Sequence, residues 1–300
     1  MFIAGGHAKC RVLRHLGLSK STYYHRCQPR GERRRKGGRP IAGFSWTTVG
    51  QQITDEIIKQ YLLAAIEGDG AHYGYRKLTH QLRREFDLVI NKKKVYRLCR
   101  EMNALHPQRR RRQQVSCKRT RNRIVSGPNQ VWASDVKYGY IEGESRYFYM
   151  ASVLDIYDRS IVGCHIGLNC QGRHILQLVQ QGIKERGANA ARLVLRTDNG
   201  TQYKSRVLAR GCATLGVQHE YIPAKTPDAN AHIESFHAIL EKECLAESRF
   251  GSYLSALTEV RDFLKFYNER RLHSGCGYRP PLEYYREVQA GQLTRTELHI

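Results

Sequence analysis

The 300 residues carry 50 Lys and Arg against 27 Asp and Glu, and 41% are hydrophobic, which suits a soluble chain of two or three folded units and excludes wholesale disorder. No apolar run approaches the roughly 20 residues that span a bilayer, and the start, MFIAGGHAKC, lacks the apolar core of a secretory signal. Nine cysteines without a CxxC pair make a poor disulfide framework, so a cytoplasmic setting is expected and no membrane partner. The net charge of +23 is not evenly spread. Residues 1–125 hold 29 basic and 8 acidic residues, whereas the other 175 hold 21 and 19. That asymmetry points to a nucleic-acid-binding front half joined to a near-neutral second half.

In chain order, residues 1–29 form a helix–turn–helix-like segment. Val12, Leu13 and Leu16 make an apolar stripe, Gly17 breaks it, and Ser19 can cap a second helix through Tyr23 and Tyr24. Residues 30–49, with RGERRRKGGRP at their start, read as a basic linker. Residues 50–105 form a second unit of the same kind. Ile53, Ile57, Ile58, Tyr61 and Leu62 recur at helical spacing, GDGAHYGY turns the chain, and Tyr75 to Phe86 continues as a helix with Leu78 and Leu82 inward. Asn91 can cap a further helix from Lys92 to Met102. Val95, Leu98 and Cys99 face its core, while Lys92, Lys93, Lys94, Arg97 and Arg100 stay in water, as a DNA-recognition helix would arrange them. A basic arm follows over residues 106–125. Eight cations and no acid lie between Arg109 and Arg123, among them Arg110, Arg111, Arg112, Lys118 and Arg119, which favours salt-sensitive contact with a phosphate backbone.

The pattern changes over residues 126–290. Strands are expected at Val131 to Tyr138, Tyr147 to Ile156 and Ile161 to Ile166, with Asp158 and Arg159 in a hairpin turn. A helix from about Gly172 to Arg186 leads to the strand Leu193 to Thr197, and a helix near Lys204 to Leu215 to the strand Val217 to Tyr221. Helices close the unit at about Asn230 to Glu247 and Tyr253 to Tyr267, and residues 291–300 form a tail. Three strands followed by α-β-α-β-α describe an α/β core around a mixed five-stranded sheet, of ribonuclease H type, behind small all-α helix–turn–helix units.

Three acids stand out by position. Asp135 lies inside the strand VWASDVKY, Asp198 closes the strand LVLRT at the turn DNG, and Glu234 begins a helix in ANAHIESFHAIL. Alone, Asp198 could cap its turn, Glu234 could suit a helix N-terminus, and Asp135 could pair with an arginine. Together, strand ends and a helix start can gather three carboxylates at one sheet edge, the oxygen donors that Mg²⁺ takes. Two such ions roughly 3.5–4 Å apart serve in-line phosphoryl displacement.

WASDVKY, LRTDNGTQY and TPDANAHIESFHAILEKE resemble the three catalytic blocks of DDE transposases and retroviral-type integrases, with 35 residues between Asp198 and Glu234. FYNERRLHSGCGYRPPLEYY resembles the closing block of bacterial insertion-sequence transposases of the OrfB kind, and AHYGYRKL to KKKVYRLCREM their helix–turn–helix region. The resemblance implies that Asp135, Asp198 and Glu234 hold Mg²⁺, with Mn²⁺ as a substitute. Water and then a DNA 3′-hydroxyl would attack phosphodiester bonds with no covalent protein–DNA intermediate, so Ser134 and Tyr138 are read as strand residues. Asn199, Gly200 and Gln202 would shape the turn, and Lys242, Arg270 and Arg271 would contact DNA. Asn268, Arg270, Arg271 and His273 could equally brace the core. It further implies a homo-oligomer on the element's terminal repeats and target DNA, and an OrfA-type upstream partner or frameshift fusion.

Two departures accompany it. Many relatives carry a cation seven residues after the catalytic Glu, where this chain has Glu241 with Lys242 beside it. Cys10, His15, His25 and Cys27 have the wrong intervals for a zinc finger, and no leucine zipper is evident. The rival readings are a non-catalytic competitor for the element ends and a ribonuclease H-like nuclease without strand transfer.

Overall fold

The computed structural model describes residues 9–27, 42–107, 123–223, 230–294 and 296–300. The chain forms two units, residues 1–43 and 44–300. In the first, helices α1 (Lys9–His15) and α2 (Lys20–Cys27) turn at Gly17, whose φ of +62° needs a residue without a Cβ. Leu13 is buried, and Ser19 Oγ accepts the Thr22 N–H at 3.1 Å, the cap expected from the sequence.

The second unit opens with a small sheet that the sequence reading did not anticipate. β1 (Phe44–Thr47) lies between β2 (Gln52–Thr54) and β3 (Leu88–Val89), both antiparallel to it. This front region is therefore not all helical, and the segment assigned to the basic linker ends before Phe44. Helices α3 (Asp55–Glu67), α4 (Tyr75–Glu85) and α5 (Lys92–Glu101) pack Ile58, Leu62, Leu78, Leu82, Val95 and Leu98 into one apolar core. Asn91 Oδ1 caps α5 by accepting the Lys93 N–H at 2.9 Å.

Next come β4 (Ile124–Val125), β5 (Val131–Ile141), β6 (Arg146–Asp155), β7 (Ile161–Gly167), α6 (Gly172–Arg186), β8 (Val194–Thr197), α7 (Arg206–Leu215) and β9 (Gln218–Tyr221). The five long strands run in the order β7-β6-β5-β8-β9, antiparallel on the β7 side and parallel from β5 to β9. This is the mixed five-stranded sheet of a ribonuclease H-like core. The strand side-chain period of two splits β5 between the sheet's faces. Val131 and Ala133 join the core under α8 (Ala231–Leu240) and α9 (Tyr253–Glu269), whereas Trp132 packs with α6 and α7.

The expected helix from Asn230 to Glu247 is α8 followed by a π-helical turn, Glu241–Leu245. The chain closes with α10 (Pro281–Gln289) and β10 (Leu298–His299). β10 pairs antiparallel with β4, Leu298 opposite Val125, so the expected tail is a strand of the unit. No described helix is long and apolar enough to cross a membrane.

Candidate active site

Asp135 shares the odd-numbered face of β5 with Val131 and Ala133, the face covered by α8. In the parallel β5–β8 ladder Ser134 stands opposite Thr197, so Asp135 and Asp198 are the next positions along neighbouring strands. Adjacent strands lie about 4.8 Å apart, which brings these two carboxylates to one edge of the sheet. Beneath them Tyr203, fully buried, bonds Ser134 Oγ at 3.0 Å. Its phenol is raised well above its ordinary value by burial first, with the charges of Asp135 and Asp198 adding to the effect.

The turn after β8 is fastened at both ends. Asp198 Oδ1 accepts the Gly200 N–H at 2.9 Å, and the Asn199 side-chain amide donates to the Ile222 carbonyl at 2.8 Å. Asp198 thus makes the turn bond that its sequence position allowed and still stands half-exposed at the strand end. Glu234 is exposed on the first turn of α8 and borders a cavity of about 510 Å³ together with Asp135, Lys137, His237, Glu241 and Lys242. Glu234, Ala238 and Glu241 fall on one stripe of the helix, as the i, i+4, i+7 spacing requires.

Two residues at this cavity were not picked out from the sequence. His237, buried and one turn beyond Glu234, sets Nδ1 3.4 Å from Asp135 Oδ2, while its Nε2 has no hydrogen-bond partner among the described residues. The helical i, i+3 interval from Glu234 was its only signal. Lys137, two positions after Asp135 on the same strand face, pairs with Glu241 at 2.7 Å. The acid at the seventh position past Glu234 is therefore answered by a cation from β5, and the exposed Lys242 beside it borders the same cavity. The donor set is carboxylate oxygen, the kind Mg²⁺ takes. Among the described residues, however, no three His, Cys, Asp or Glu converge closely enough to enclose a metal ion.

Of the cations expected in water on α5, Lys92, Lys93 and Arg100 are exposed. Lys94 and Arg97 are only half-exposed. Each sits 2.6 Å from a carboxylate oxygen of the buried Asp55, and Arg97 also bonds Glu101 at 2.8 Å. A buried carboxylate demands paired cations, and that demand turns this side of the helix inward. Arg109, Arg110, Arg111, Arg112, Lys118 and Arg119 lie outside the described residues.

Arg270 is exposed and reaches Asp69 at 3.6 Å. Arg271 is 4% exposed and grips Glu243 through two 2.6 Å bonds, so it braces the core and offers no phosphate contact here. Asn268 braces too, exchanging bonds with both the N–H and the C=O of Ile161.

Residues 125–227 and 215–281 each match the model of an integrase core domain, and residues 52–112 that of an HTH-like domain. The chain is 33% identical to the uncharacterized 39.2 kDa protein of insertion element IS476 from Xanthomonas euvesicatoria, over 73% of this chain and 62% of that one. It is 26% identical to the transposase of insertion sequence element IS904 from Lactococcus lactis, over 78% and 95%. The HTLV-2 integrase catalytic core domain, solved in complex with magnesium, is 15% identical over 53% of this chain and 97% of that one, with a TM-score of 0.42.

The fold and the matched domains define an integrase core behind an HTH-like domain, and by the two core models, which together span residues 125–281, the chain belongs to the integrase-core family. The relatives it matches come from bacterial insertion elements, two of them named as transposases, and the chain spans about three fifths of the length of the IS476 protein. The family works with a divalent metal ion.

Proposed function

We propose that this chain binds the ends of its own insertion sequence and performs metal-dependent strand cleavage and strand transfer at Asp135, Asp198 and Glu234. The observation that carries the reading is the register. β5 and β8 place Asp135 and Asp198 side by side, and α8 sets Glu234 on the cavity that Asp135 also lines. Mg²⁺, with Mn²⁺ as a substitute, would be held by these three carboxylates and would supply activation of the attacking oxygen and stabilisation of the leaving one. The chain's own part is to hold the carboxylates in place. The Gly200 N–H orients Asp198, His237 orients Asp135, and with Glu241 answered by Lys137 the exposed Lys242 offers positive charge where a DNA strand enters.

Terminal repeats and target DNA are the partners in this reading, with a homo-oligomer holding two ends and an OrfA-type protein or frameshift fusion supplying an upstream segment. The place of action would be the nucleoid in the cytoplasm. The test is cleavage and joining of a labelled fragment carrying the element's end, with Mg²⁺ or Mn²⁺. Asp135→Asn, Asp198→Asn and Glu234→Gln should each lower the rate by roughly 10³-fold or more while DNA binding persists, since the metal's several kcal/mol of charge stabilisation is lost. Metal-dependent cleavage surviving in Asp198→Asn would show the site to be wrong. Binding without cleavage in the wild type favours a competitor, and cleavage without joining a nuclease.

A further inference from the structure

The most deeply placed arginines of the catalytic region are ion-paired, with one exception. Arg186 lies 3.3 Å from Asp155 and 3.0 Å from Asp158, Arg196 2.9 Å from Glu220, and Arg271 2.6 Å from Glu243. Arg159, half-buried in the turn between β6 and β7, has no carboxylate within ion-pair distance among the described residues, and Asp155 and Asp158 act on it only from farther off. An unpaired guanidinium withdrawn from water is costly unless something anionic meets it. Its backbone is also held at φ +67°, a conformation that few residues other than glycine adopt.

Arg159 lines a second cavity of about 180 Å³. His232 and Ser235 enter it from α8, His273 and Ser274 from the segment after α9, and Phe236 and Tyr267 form its apolar wall. Tyr267 donates its O–H to the Arg159 carbonyl at 3.1 Å, so it takes a hydrogen from His273 Nε2 at 3.3 Å. The buried His273 Nδ1 is then left with no partner among the described residues. Cations act on both histidines of the cavity: Arg159 and Arg196 on His232, and Arg271, Lys77 and Arg159 on His273. Burial first, and then the neighbouring cations including Arg159, pulls His232 down to about 4 and His273 to about 3.

We propose that this cavity is an anion site that seats a backbone phosphate of the bound DNA strand beside the catalytic helix. The Arg159 fork takes two phosphate oxygens, the Ser235 and Ser274 hydroxyls donate to the same group, and a water carried with it donates to His273 Nδ1. The position suits a strand already at the metal site. At 100° per residue, Glu234, Ala238 and Glu241 flank one side of the buried stripe of α8, and His232 and Ser235 flank the other. A strand crossing the exposed face between them touches both cavities. The proposal rests on the reading of this chain as a DNA strand transferase.

The experiment uses the full chain and two probes. Inorganic phosphate, compared with chloride at equal ionic strength, should raise the melting temperature of the wild type, and Arg159→Gln should lose most of that rise. DNA binding measured against salt should show the log–log slope falling by about one in Arg159→Gln and being unchanged in Arg159→Lys. Ser235→Glu places a carboxylate at the guanidinium. It should raise the melting temperature in the absence of phosphate, abolish the phosphate response and weaken DNA binding, which keeps the test open should Arg159→Gln fold poorly.

A phosphate response equal in wild type and Arg159→Gln overturns the anion site, as does a Ser235→Glu chain that melts and responds like the wild type. A phosphate response lost in Arg159→Gln with an unchanged DNA slope overturns the DNA assignment. Should the site respond as stated in a chain that never cleaves DNA, the proposed activity falls and the anion site stands.

Discussion

The front region of the second unit and its catalytic region treat charge in opposite ways. In residues 44–107 the core is apolar, cations project from α5, and the inward exceptions, Lys94 and Arg97, converge on the single buried carboxylate of Asp55. In residues 123–300 the deep arginines are built into the interior against Asp155, Asp158, Glu220 and Glu243. A tally of Lys and Arg therefore reports the solvated cations of the front region fairly and those of the catalytic region poorly.

The two regions meet at the segment after α9. Leu272 enters the apolar core of the front region, and its N–H donates to Tyr73 Oη at 2.7 Å. Arg84 grips Glu283 bidentately at 2.7 and 2.8 Å, and His80 stacks on Tyr278 at 3.7 Å between ring centres. Arg271 ties the same segment to Glu243, nine residues past Glu234 on the continuation of its helix. The helix that carries a proposed metal ligand is thereby fastened to the region that would read DNA.

The strongest way to break this arrangement is to strip one partner from that buried pair. Arg271→Met leaves Glu243 uncompensated in the interior and should cost about 3–5 kcal/mol of unfolding free energy. The double change Arg271→Met with Glu243→Met should recover most of it, because two apolar side chains replace two desolvated charges. Denaturant unfolding of the three proteins measures both. A double variant no more stable than the single would mean that the segment needs the ion pair itself and not merely a filled space.

How far the sequence carried can be judged at particular residues. The places of Asp135, Asp198 and Glu234 in the fold were legible because local pattern fixes each: inside an apolar strand, just past a strand end at DNG, and in the first turn of a helix. The sheet of β1, β2 and β3 was not, since strands of two to four residues are too short to show a period. The π turn at Glu241–Leu245 keeps helical spacing and so reads as a longer helix. The pairing of Lys94 and Arg97 with Asp55 was not legible because that acid lies about 40 positions away in sequence, and no local pattern pairs a cation with so distant a partner.

Lys77 is a half-buried cation of the front region with no carboxylate in ion-pair distance among the described residues. It lies at the junction, 4.8 Å from the centre of the Tyr73 ring, and burial first, then Arg271, pulls its ammonium from 10.5 down to about 7. Glu243 opposes that shift and Lys242 adds to it. Between about pH 7 and 10.5 the unfolded chain holds a proton there that the folded chain has released, so Lys77 makes stability rise with pH through that window. Below about 7 both states are protonated and the penalty is constant. Lys77→Met should therefore be more stable than the wild type near neutral pH, by about 1–2 kcal/mol given its partial exposure, with the gain fading to nothing towards pH 10.5. Thermal melts across that range decide it, and a gain that does not change with pH would assign the effect to packing.

The smallest expected effect separates the two faces of α5. Lys92 and Lys93 are exposed and contribute nothing to the core, so their value is electrostatic attraction to phosphate, each contact adding about 0.9 to the salt slope on duplex DNA. Replacing both by Ala should lower that slope by up to about two and leave the melting temperature within roughly a degree or two, as surface changes do. Lys94→Ala should act the other way round. It removes one of the cations on Asp55, which keeps Arg97, and so lowers the melting temperature by several degrees with the slope unchanged. If Lys94→Ala instead lowered the slope as much as a Lys92 change, the ion pair with Asp55 would open on binding, and the inward cations of the front region would be a reserve that DNA draws out.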